Sequence, residues 1–115
     1  MTSIHHAIDY IELAARDLRA ATDFYAQAFG WQFNDYGPDY AGIRAVDGEG
    51  EVGGINATGQ AEPGPGGPLV LLYSEDLEAT VAAVRAAGGT VTAGLEPDGA
   101  FAVHAELPAP AEESP

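Results

Sequence analysis

The chain has 115 residues, 46% of them hydrophobic, and sets 18 acidic residues against four basic ones for a formal net charge of −14. That length suits one compact domain, or two half-size units sharing a core, because pieces much below about 60 residues bury too little surface to fold alone. Four scattered arginines in such a field oppose phosphate-rich nucleic acid and anionic lipid, and the absence of Lys and Cys excludes Schiff-base, disulfide and thiolate chemistry.

At the N-terminus, Met1 to His6 shows neither a basic region nor an apolar stretch, and no apolar run reaches the roughly 18 to 20 residues of a membrane span, so a cytoplasmic location is expected. His5 and His6 are adjacent, and on a strand they would point to opposite faces. They read as an exposed terminal pair rather than one ligand set. Residues Ile8 to Leu13 alternate as a strand that places Tyr10 and Glu12 on one face and Ile11 and Leu13 on the other. Asp17 is a helix N-cap, and Leu18, Ala21, Tyr25, Ala28 and Phe29 form the apolar stripe of the helix that follows, ended by Gly30.

Strands are predicted over Trp31 to Tyr36, Tyr40 to Val46 and Glu51 to Thr58, and the Pro- and Gly-rich stretch 59–68 reads as a connector. Another strand is expected at Leu69 to Tyr73, then Asp76 as an N-cap and a helix with Leu77, Val81 and Val84 inward. Gly88 and Gly89 end it. Strands at Thr90 to Leu95 and Ala100 to Leu107 follow, and 108–115 reads as a disordered acidic tail.

Laying residues 11–32 over 70–91 reveals a repeat at an offset of 59: Ile11, Leu13, Asp17, Leu18, Ala28 and Gly30 fall on Val70, Leu72, Asp76, Leu77, Ala87 and Gly89. The chain therefore reads as a single domain, 1–115, of two units, about 4–58 and 69–107, the second one strand short. One helix shields one face of each unit's sheet, so the other faces must meet each other, a ligand or a second chain.

The run Tyr10-Ile-Glu-Leu-Ala-Ala-Arg-Asp-Leu18, then Asp23-Phe-Tyr25 and Phe29-Gly-Trp31, resembles the opening of the vicinal-oxygen-chelate superfamily of glyoxalases and bleomycin-resistance proteins. The likeness continues through Gly53-Gly54, Ser74 to Thr80 and Ala87-Gly-Gly89. It implies an α+β fold of two βαβββ modules paired around a cleft, here without the last strand of the second module, and commonly a dimer. The superfamily's metal enzymes take ligands from the first and last strands of each module. Those positions correspond here to Tyr10, Leu69, a site near Gly54, and a final strand with no counterpart. The resemblance therefore implies a chain that has lost its inherited metal site.

On the residues themselves, Tyr10, Glu12 and Tyr73 are expected at the cleft. Trp31 could form an apolar wall, Arg44 a clamp for an anionic group, and Asn56 a hydrogen-bond donor. His104, two residues from Glu106 on one strand face, could be an acid–base group. No catalytic residue is assigned. The leading expectation is a metal-independent small-molecule binding protein that takes a cationic, antibiotic-like ligand, acts as a homodimer, has no nucleic-acid or membrane partner and needs no cofactor. The alternatives are a divalent-metal lyase or dioxygenase with displaced ligands such as Glu12, His104 and Glu106, and a degenerate partner subunit.

Overall fold

The computed structural model describes residues 4–63, 70–95 and 101–106, with side chains over 4–63 and 70–91. The connector's end with Leu69, the tail 108–115 and the side chains of His104 and Glu106 lie outside what is described. The elements run β1 (Ile11–Ala14), α1 (Leu18–Phe29), β2 (Phe33–Asp35), β3 (Tyr40–Arg44), β4 (Glu51–Asn56), α2 (Leu77–Ala86), β5 (Thr90–Leu95) and β6 (Phe101–Glu106). The first four strands form a sheet in the order β1-β4-β3-β2, with β1 parallel to β4 and the other pairs antiparallel. β5 and β6 form a separate antiparallel hairpin, Thr90 opposite Glu106 and Leu95 opposite Phe101.

Both helices start as their sequence dictates. The Asp17 carboxylate accepts from the Ala20 N–H at 3.0 Å, and Asp76 does the same for Ala79 at 3.1 Å. Gly30 closes α1 in the left-handed region at φ 73°, a conformation glycine adopts without a steric penalty.

The stripe inferred for α1 is too narrow. Ala21 and Ala28 are buried, but so is Phe24, while Leu18, Tyr25 and Phe29 are only half-buried. The reason is that α1 is covered twice. Ala15, Ala21, Ile43 and Ile55 pack between it and the sheet, and Phe24 and Ala28 pack against Val84 of α2. This second contact joins the two helices.

Two expected strands change. β1 begins at Ile11 rather than Ile8, because pairing with β4 reaches only Ile11 opposite Gly53. The next residue along β4, Val52, is the extra residue of a bulge where Arg44 pairs with Glu51 instead. The described part of the expected strand at 69–73 is not a strand at all. Its counterpart β1 is held by β4, the last strand of the first unit, and no described strand plays that part in the second. Leu71 and Tyr73 are accordingly 80% and 91% exposed. His5 and His6 lie in a turn, His6 at φ 64°, so their rings stack at 3.7 Å instead of pointing apart.

Candidate functional site

The face of the sheet turned away from α1 carries a polar shelf. Across it run Glu12, Gly54, Gly42 and Asn34, neighbours in register on β1, β4, β3 and β2. The two central glycines leave a floor of bare backbone, and longer side chains lie down over it. A Cβ on Gly54 would collide with the hydroxyls of Tyr40 and Tyr10, and one on Gly42 would collide with the Glu51 carboxylate. Glycine at both places makes room for this close approach rather than serving an unusual φ.

Glu51 reaches the shelf because of the bulge. Counting back by twos from Asn56 gives Gly54 and Val52, so strict alternation would turn Glu51 toward the helix. The extra residue at Val52 resets the alternation and sets Glu51 opposite Arg44, on the shelf side.

The polar groups form two connected sets. Tyr40 donates its hydroxyl proton to Glu12 at 2.9 Å, and the Tyr10 and Tyr40 hydroxyls lie 2.7 Å apart. Because the single proton of Tyr40 is already committed to Glu12, Tyr10 is the donor in that second bond. The other Glu12 oxygen accepts from Asn56 Nδ2 at 2.7 Å, and Asn56, 8% exposed, also donates to Gln60 and accepts from Thr58. In the second set, Glu51 accepts from Asn34 at 2.8 Å and from the Tyr36 hydroxyl.

These bonds set the protonation states. The bond from Tyr36, then that from Asn34, holds the Glu51 carboxyl below its usual range. Tyr36 is pushed up by the same bond to Glu51 and, to a lesser degree, by desolvation. Tyr40 is pushed up chiefly by desolvation, with its donated bond to Glu12 and the charge of that carboxylate adding to it. Near neutrality the shelf therefore holds Tyr36 and Tyr40 as neutral phenols and Glu51 as a carboxylate.

Of the residues singled out from sequence, Tyr10, Glu12 and Asn56 sit together on this shelf. Trp31 does not. It stacks on Tyr25 with ring centroids 4.9 Å apart and packs against the helix-side core. Arg44 is exposed and donates to Gln32 at 3.3 Å, and with Trp31 it borders a separate cavity of about 160 Å³. Tyr73, at 91% exposure, packs against nothing on the shelf. His104 stands opposite Thr92 on the β5–β6 hairpin.

Sequence reasoning missed Tyr36, Tyr40 and Asn34 along with Glu51. Tyr40 shares the alternation of Gly42 and Arg44 and could have been read from it, whereas Glu51 depends on a bulge that no local signal announces.

The superfamily's metal positions can be tested against these groups. Tyr10 offers a phenol already bonded to Tyr40, Gly54 offers no donor and has no room for one, and Glu12 is the single carboxylate of β1. Among the described residues no three His, Cys, Asp or Glu side chains gather closely enough to hold an ion. Among the described residues the donor set does not fit a divalent metal there.

The sequence profile of the Glyoxalase/Bleomycin resistance protein/Dioxygenase superfamily matches residues 7–104, and the chain belongs to that superfamily. No curated protein matches it in sequence. Among solved structures it is similar to a possible glyoxalase from Bacillus cereus, with a TM-score of 0.65 at 20% identity over 90% of this chain and 91% of that one. It is also similar to lactoylglutathione lyase from Agrobacterium tumefaciens, with a TM-score of 0.63 at 19% identity over 90% and 87%. A glyoxalase-related enzyme from Fulvimarina pelagi gives a TM-score of 0.65 at 23% identity over 90% and 81%. At these identities the likeness establishes the α+β glyoxalase fold, and the shelf's own chemistry must carry the functional argument.

Proposed function

We propose that the chain is a small-molecule binding protein that works without a metal and takes organic cations, including antibiotic-like amines, on the Glu12–Glu51 shelf. The observation that carries this reading is the direction of the protons. The hydroxyls of Tyr10, Tyr36 and Tyr40 all donate within the shelf, so the hydroxyl and carboxylate oxygens left for a ligand are acceptors. An ammonium or guanidinium group supplies the donors they need, and a carboxylate or phosphate does not. Two features support the same choice. The Tyr36 and Tyr40 rings, with centroids 6.2 Å apart, offer π faces to a cation. The net charge of −14 raises the local concentration of cations around the whole molecule.

The reading includes a homodimer in the cytoplasm, the dimer supported by the apolar side chains left exposed between Val70 and Tyr73. Light scattering coupled to size exclusion reports the dimer. The binding claim is tested by titration calorimetry of chelator-treated protein at low salt, comparing organic amines with carboxylates of the same skeleton. Saturable heat is expected from the amines alone and should weaken in Glu51→Gln. Heat that appears only after a divalent metal is restored would contradict the proposal, as would no heat from any amine.

A further inference from the structure

Beside the shelf lies a cavity of about 350 Å³ walled by Ile4, Ile8, Tyr10, Ile11 and Val52, with Asp9 as its one charged residue. Its apolar walls face water: Ile4 is 73% exposed, Ile8 87%, and Ile11 and Val52 41% each. A contiguous apolar concavity of this kind marks a binding surface more often than scattered exposed residues do. It is also large enough, since a buried apolar cavity of about 150 Å³ already accommodates benzene.

Two residues make the cavity continuous with the shelf. Tyr10 borders it, and the hydroxyl of that same residue lies over Gly54 and bonds to Tyr40. Val52, the extra residue of the bulge, borders it one position from Glu51. The bulge that turns a carboxylate onto the shelf therefore also places a valine in the neighbouring apolar wall.

Resting on the cation-binding reading above, we infer that this cavity receives the apolar body of the ligand while the shelf holds its ammonium head, so that the ligand class is an arylalkyl or alkyl monoamine. Such a molecule has charge at one end and hydrocarbon at the other, separated by about the length of a tyrosine side chain. A polyamine would set a second charge, rather than hydrocarbon, against isoleucine and valine, and so would leave those apolar side chains uncovered. An arylalkyl carboxylate would meet Asp9 in the cavity and Glu51 on the shelf. The apolar body adds affinity in proportion to the area it removes from water, and a phenyl ring is enough for at least about a tenfold gain over the bare head group.

The test is a titration of the 15N-labelled full chain, followed by amide shifts, with methylammonium and with phenethylammonium, in the wild type and in Ile8→Ser and Ile4→Ser. Both variants alter exposed side chains outside the sheet, so the fold is kept. Methylammonium should move the amides of Gly42, Glu51 and Gly54. Phenethylammonium should move these and also Ile8 and Ile11, bind at least about tenfold more tightly, and lose that advantage in either serine variant while methylammonium binding stays as in the wild type. Equal affinities for the two amines, or shifts confined to the shelf, would overturn the subsite and leave the cation reading standing. Shifts of Ile8 and Ile11 on dilution of the protein alone would give the cavity to a second copy of the chain and also overturn it. Silence toward both amines would overturn the subsite together with the reading it rests on.

Discussion

Ile11–Ala14 and Val70–Tyr73 occupy the same place in the repeat and have similar patterns, yet one is a strand and the other is not. The difference is not in their propensity. β1 has β4 beside it, pairing from Ile11 opposite Gly53 to Ala14 opposite Asn56, whereas the second segment has no such neighbour among the described strands. A helix satisfies its own backbone, so Asp17 and Asp76 start comparable helices in both units. A strand needs another strand to satisfy its backbone. The polar shelf shows the same dependence, since Glu12 is useful only because Gly54 and Asn56 lie alongside it.

That contrast can be broken or sharpened by substitution. The largest effect is expected from Ile55→Ala, which empties a fully buried site between β4 and α1 and should cost about 2–5 kcal/mol in chemical denaturation. Gly54→Ala should follow at about 1–3 kcal/mol, because its methyl group must displace the Tyr40 hydroxyl, and it should weaken amine binding in the same sample. The repeat-equivalent pair is the sharpest comparison. Leu13→Ala removes a side chain packed against the core and should cost about 1–2 kcal/mol, whereas Leu72→Ala, at 48% exposure, should change stability by less than about 0.5 kcal/mol. Equal losses would mean that the second segment is held as firmly as β1. The caps reverse the expectation: Asp17→Ala and Asp76→Ala should each cost about 1 kcal/mol, since each cap is local to its helix. Smallest of all, breaking Arg16–Glu62 with Glu62→Gln should move stability by less than about 0.5 kcal/mol, both side chains being largely exposed.

pH supplies an independent check on the shelf. Glu51 has a folded pKa below its ordinary 4.5, so its bonds stabilise the fold above that value and the contribution disappears as pH falls through the depressed one. Tyr36 has the opposite sign. Its contribution is complete below the ordinary 10.0 and is lost as pH rises through the raised folded value. The stability difference between wild type and Glu51→Gln, measured by urea melts across pH, should therefore persist at neutrality and vanish in acid.

The architecture was legible wherever the signals are local. Caps, the Gly30 stop and the order of elements all follow from residues within a few positions of one another. Phe24 was missed because a helix covered on two sides has no single stripe. The segment at Val70 was misread because a strand's partner cannot be seen in its own sequence. The site was half legible: Tyr10, Glu12 and Asn56 obey simple alternation, but Glu51 defies it through one inserted residue, and Trp31 obeys the packing demand of Tyr25 rather than that of the shelf.

The central claim, that an ionised Glu51 among inward-donating phenols forms a cation-binding shelf, is tested most directly by following the Glu51 carboxyl carbon by 13C NMR through an acid titration, with and without phenethylammonium. The account predicts a midpoint below the ordinary 4.5 in the free protein, lowered further by the amine as the cation favours the charged form. A midpoint at or above the ordinary value, or one that the amine leaves where it was, would contradict it.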